Sequence, residues 1–190
     1  MKTIFQIALI TINILITGCA LNQIKKSDDT YIILNSEINR LTNKKEDTIY
    51  LRKITYNRYL KSLLKEKKLV SNVKNLELIE AFTKEEEINY LVQQLEDSLL
   101  INFNKINSKL VKEHIDPFSR RDSSGNIVTD YYYIKIFGSR KYSFSKPIFS
   151  KNRKYCFLIV SRDKIGVGLR IYKQENNKWK FFRNIGLSIS

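Results

Sequence analysis

Apolar positions recur along this chain with two different periods, and the change between them divides it in two. Tyr31, Leu34, Ile38 and Leu41 fall at helical spacing, with Ser27, Asp28 or Asp29 available as a cap. A short strand is expected over Thr48–Thr55, and residues 58–69 form a basic amphipathic helix. Such a helix could lie on anionic lipid, although a packed helix with a solvated basic face is the commoner arrangement. Past Thr83 the stripe Ile88, Leu91, Val92, Leu95 and Leu99, continued by Phe103, Ile106 and Leu110, predicts one long helix ending before Pro117. Thr83-Lys84-Glu85-Glu86 has capping-box spacing at its start.

From residue 127 the pattern becomes that of strands. Ile127–Phe137, Tyr142–Phe149, Tyr155–Val160, Val167–Lys173 and Lys178–Ile185 are rich in aromatic and branched residues. Turns are expected at 122–126, 150–154 and 174–177, and Gly166-Val167-Gly168 reads as a loop or bulge. Short gaps favour antiparallel neighbours. The expected class is α+β, with N-terminal helices packed on a C-terminal antiparallel meander sheet of about five strands and the long helix covering one face.

The first residues follow neither pattern. Met1-Lys2-Thr3 precedes an apolar run from Ile4 to Ile16, interrupted by Gln6 and Asn13. The run is shorter than the about 20 residues of a spanning helix and has the parts of a secretory signal. Its end, Ile16-Thr17-Gly18-Cys19, resembles the lipobox of bacterial lipoproteins. That resemblance implies cleavage between Gly18 and Cys19 and acylation of the Cys19 thiol. Two or more acyl chains give a stable anchor. Residues 1–18 are then a signal peptide, 19–30 a lipidated polar tether, and 31–190 a single domain. Ala20 in place of an aspartate after the cysteine leans towards the outer membrane.

Composition adds little that is specific. The chain has 190 residues, 43% hydrophobic and 28% charged, which are globular values. The net charge of +15 would attract nucleic acid, anionic headgroups or acidic glycans, but the abundance of lysine, isoleucine and asparagine is also what an AT-rich genome produces. Basic and aromatic residues interleave over 140–144 and 178–183. Strand alternation accounts for that without a nucleic-acid ligand.

Candidate chemistry is sparse. With Cys19 taken by lipid, Cys156 has no intramolecular partner, and its apolar run Tyr155–Val160 predicts a buried inert thiol. His114 is the only histidine, with no ligand cluster around it in sequence. Glu85-Glu86-Glu87 suits a helix N-terminus better than a metal. No catalytic, cofactor or metal residues are assigned, and the residues lean against an enzyme.

Ser145-Lys146-Pro147-Ile148-Phe149-Ser150, the strand Tyr155–Val160 and the C-terminal Lys178-Trp179-Lys180 resemble a group of uncharacterised lipoproteins and secreted proteins of Bacteroidota. The resemblance spans roughly residues 83–190 plus the lipobox and implies no chemistry. The expectation is an anchored envelope lipoprotein that acts as a binding or assembly module. Its partners would be the membrane through the lipid, anionic lipid or lipopolysaccharide through the basic surface, or an envelope protein. Two alternatives stand beside it. One is a small enzyme on a curved-sheet scaffold of the nuclear-transport-factor-2-like kind, with Asp, Tyr or His114 lining a pocket. The other is an anchored immunity or inhibitor protein.

Overall fold

The computed structural model describes residues 29–42, 48–73, 75–114, 120–121, 127–128, 141–162 and 165–187. The signal peptide, Gly18, Cys19, the tether as far as residue 28, the turn at 122–126 and strand positions 129–137 lie outside the described residues.

The described part of α1 is residues 29–42. It is followed by β1 (Ile49–Arg52), α2 (Arg58–Lys65), α3 (Leu76–Thr83), α4 (Glu85–Gln93) and β2 (Val111–His114). The remaining strands are β3 (Arg120–Arg121), β4 (Ile127–Val128), β5 (Lys141–Phe144), β6 (Ile148–Phe149), β7 (Tyr155–Arg162), β8 (Gly166–Glu175) and β9 (Lys178–Leu187). A seven-stranded, mostly antiparallel sheet runs β2-β1-β5-β7-β8-β9, with β6 also paired to β7, and β3 and β4 pair separately.

The sheet is larger than the expected five strands, and only β7-β8-β9 form a meander. β1, from the helical half of the chain, inserts between β2 and β5 and is parallel to both. The hairpin from β8 to β9 turns on Asn176 and Asn177, both at positive φ, which is the backbone of the two-residue turn whose twist matches paired strands.

Both faces of the sheet are covered. Along β7, Tyr155, Phe157 and Ile159 join a core with Leu60 and Leu64 of α2, Leu78 and Phe82 of α3, and Leu91 of α4. The alternating Cys156, Leu158 and Val160 join a second core with Ile33, Leu34 and Ile38 of α1. A strand buried on both sides has no polar face, which explains the uninterrupted apolar run. Trp179 belongs to the α1 core, its ring 5.3 Å from that of Phe149.

The stripe beyond Thr83 is not one helix. α4 stops at Gln93, and the chain crosses to the other side of the sheet, where Ile101 is buried in the α1 core. Residues with helical spacing therefore serve two different cores. Asn102 accepts a bond from the amide of Asn104, and Ser108 from that of Leu110, local bonds that compete with a helix. Nor is there a capping box: Thr83 ends α3 and its hydroxyl donates to the Ile79 carbonyl, while Lys84 precedes α4 without a side-chain cap. Three glutamates do occupy the first turn of α4, as its dipole favours.

α2 is shorter than its amphipathic pattern. Lys67, at φ 53°, lets the amides of Lys67 and Lys68 reach the carbonyls of Leu64 and Leu63, the Schellman closure that ends a helix. Asp29 and Thr30, read as the end of the tether, are already helical and buried, and Asp29 is paired with Arg153.

The strand expected over 142–149 breaks into β5 and β6, both paired to β7. Pro147 has no amide to give to a ladder. At the break the Ser145 hydroxyl accepts the Ile159 amide at 2.9 Å, replacing a ladder bond. Asn57 accepts the Lys146 amide and donates to the carbonyls of Leu95 and Asp97. Gln94 exchanges two hydrogen bonds with the Phe149 backbone at 2.8 and 3.1 Å, acting as one residue of a neighbouring strand.

Candidate functional site

A half-open groove of about 330 Å³ lies between α2 and the sheet. Its floor includes Ser143, Ser161, Ile159 and Val167, and its wall and rim include Tyr56, Arg58 and Tyr59. Strand alternation makes the floor. Tyr142 and Phe144 point to the α1 core, so Ser143 between them faces α2, and the register sets it directly opposite Ser161. Tyr56 is fixed at the start of α2 by its amide, which donates to the Phe144 carbonyl at 2.8 Å, and its ring is about half exposed.

The polar groups here differ in how far they are engaged. The Ser145 hydroxyl is taken by the Ile159 amide and the Lys146 carbonyl. Ser62 bonds Glu66, and Lys61 is paired with Glu96 at 2.7 Å. Among the described residues the Ser143 and Ser161 hydroxyls and the Arg58 guanidinium have no protein partner. A groove with aromatic walls and a few unengaged polar groups has the composition of a small-molecule site. Among the described residues its lining holds no carboxylate or imidazole, the usual groups of acid–base catalysis.

A second constellation centres on a fully buried carboxylate. The side chain of Glu37 on α1 is 0% exposed. Its two oxygens accept from Arg40 at 2.6 and 3.0 Å, from Arg170 Nε at 3.1 Å and from the Tyr172 hydroxyl at 2.8 Å. Arg40 in turn lies over the Phe181 ring at 5.0 Å, and Phe181 meets Tyr172 edge-on. The network clasps α1 to β8 and β9. Gly168 is part of it: a Cβ there would stand 2.5 Å from Arg170 Nη1, so the missing side chain lets that guanidinium lie against the strand. Gly168 is thus inside β8 and not in a loop. Arg170 Nη1 and Trp179 Nε1 are buried without a partner among the described residues.

Burial raises the Tyr172 phenol well above the ordinary range, and the charge and hydrogen bond of Glu37 add to this against the opposing effects of Ser36 and Arg40. The bond to Glu37, ahead of all other influences, raises Arg40. Above about pH 10 an unfolded chain releases the phenolic proton while the folded one keeps it. The stabilisation is complete below that pH and declines as pH rises towards the folded value. Urea unfolding from pH 8 to 11 should show a steeper alkaline loss for the native chain than for Tyr172→Phe. The variant should be weaker at neutral pH by about 1.5–3 kcal/mol, the range for a hydrogen bond to a charged group. Equal slopes would mean that the phenol titrates alike in both states.

Cys156 is fully buried and its thiol is raised well above its ordinary value, chiefly by burial, as its apolar run predicts. His114 ends β2 opposite Arg52. Glu86 and Glu87 hold the turn before β7, through the Lys151 ammonium and amide. Among the described residues no three His, Cys, Asp or Glu gather as a metal set, and no helix is long and apolar enough to cross a membrane. Neither the groove nor the clasp was foreseen from the sequence, where Ser143, Ser161 and Glu37 carry no motif.

No family model matches the chain, and neither a curated protein nor a solved structure does.

Proposed function

We propose that this protein is an envelope lipoprotein of the Bacteroidota type, held by acyl chains on Cys19 at the outer membrane, and that its domain is a binding module. The leader Lys2 to Cys19 supports the anchor. The groove between α2 and the β5-β7-β8 strands carries the binding reading, because among the described residues the Ser143 and Ser161 hydroxyls and the Arg58 guanidinium are unengaged and the lining suits holding a ligand better than moving a proton. The excess of basic residues favours an anionic setting such as lipid headgroups or lipopolysaccharide.

The anchor is tested in the native host by labelling with an alkyne analogue of palmitate. The chain should take up label and sediment with membranes, and Cys19→Ser should lose both. An unlabelled chain that retains residues 1–18 would overturn it. The groove is tested by screening small polar and aromatic fragments against the isotope-labelled full-length chain in detergent micelles. Amide shifts should gather at Ser143, Ile159, Ser161 and Val167. Shifts confined to other surfaces would remove the groove as a site.

A further inference from the structure

We infer that the groove takes an acidic saccharide unit, its ring against Tyr56 and Tyr59, its hydroxyls over the Ser143–Ser161 pair and its carboxylate at Arg58. The inference rests on the groove being a binding site. Four observations narrow the ligand to this class.

The volume, about 330 Å³, is at the small end of ligand sites and suits one or two sugar rings. The groove is open along one side, so the rest of a glycan could continue out of it. Its floor is not simply apolar. Ser143 and Ser161 face each other across paired strands with hydroxyls that no described residue engages. An acyl chain laid over them would bury them unpaired, which is unfavourable, whereas sugar hydroxyls both give and accept hydrogen bonds. The walls are tyrosine, whose rings offer a flat apolar face beside a polar tip. Tyr56 is 54% exposed, so its ring has a face free to meet a ligand.

The charge follows from the neighbouring cations. Lys61 is paired with Glu96, and Lys68 with Glu66. Arg58 has no acidic partner among the described residues. A guanidinium can grip a carboxylate with two parallel hydrogen bonds, and among the described residues Arg58 is the charged side chain of the groove lining.

The test is calorimetry on the full-length chain in detergent micelles at physiological salt, with three probes: trigalacturonate, its neutral methyl ester, and laurate. Trigalacturonate should bind and the ester should bind about tenfold or more weakly, as expected for loss of a charge-assisted pair. Arg58→Gln should bring trigalacturonate to the level of the ester and leave the ester unchanged, and Tyr56→Ala should weaken both. Both side chains are exposed, so these variants should melt with the native chain. Equal binding of acid and ester, insensitivity to Arg58→Gln, binding of laurate alone, or binding of none of the three overturns the inference. If fragments still shift the groove amides in any of those cases, only the ligand class has failed. If they do not, the binding reading has failed with it.

Discussion

Replacing Glu37 by alanine is expected to lower the unfolding free energy by about 3–5 kcal/mol, the usual cost of removing one partner of a buried charge network. The reason lies in what the carboxylate leaves behind. Arg40 is about one-third exposed and can turn to water. The Arg170 side chain is 14% exposed, and its Nη1 already lacks a partner among the described residues. Without Glu37 it becomes an uncompensated buried cation, and the Tyr172 hydroxyl loses its acceptor. Chemical denaturation of the single variant measures the loss. Combining Glu37→Leu with Arg170→Leu should recover part of it, because apolar replacement of a whole buried pair is often close to neutral. A loss below about 1 kcal/mol, the ordinary value of an exposed pair, would show that the carboxylate is solvated and that α1 is held by apolar contacts alone.

Truncation on either side of β7 should be costly. Phe157 is fully buried and its ring stands 4.9 Å from that of Phe82 on α3. Leu158, the next residue, is also fully buried but in the opposite core. Phe157→Ala should cost about 3–5 kcal/mol and Leu158→Ala about 2–5 kcal/mol, since each leaves a cavity that its neighbours fill only in part. In a sheet covered on one face, one of two adjacent residues faces water and its truncation costs little. A near-neutral result for Leu158→Ala would remove α1 from the sheet. Because the two side chains enter separate cores, the double variant should lose close to the sum of the singles, measured by the same denaturation curves.

Several elements were legible from residues alone. α1 was marked by Tyr31, Leu34, Ile38 and Leu41, and the strands from Tyr155 onwards by branched and aromatic runs between turn residues. The buried thiol of Cys156 followed from its neighbours. The stripe from Phe103 to Leu110 misled for a physical reason: spacing records that residues are buried and not which core they enter. Thr83 misled because a hydroxyl that could cap α4 instead closes back onto α3. The groove was hidden because Ser143 and Ser161 are ordinary strand residues until the register sets them opposite each other.

By itself, the sequence determined what depends on neighbours within a few positions: strand and helix periods, a turn within 174–177, and the short apolar leader. Tertiary structure alone decided the rest. It placed β1 parallel inside the sheet, ended α4 at Gln93, and covered both faces of β7. It also brought Glu37 to Arg170 and Tyr172, which lie 133 and 135 positions away. The physical reason is that a side chain's rotamer and period are fixed by its own backbone, whereas the partner of a buried charge is fixed only when distant strands and helices close around it.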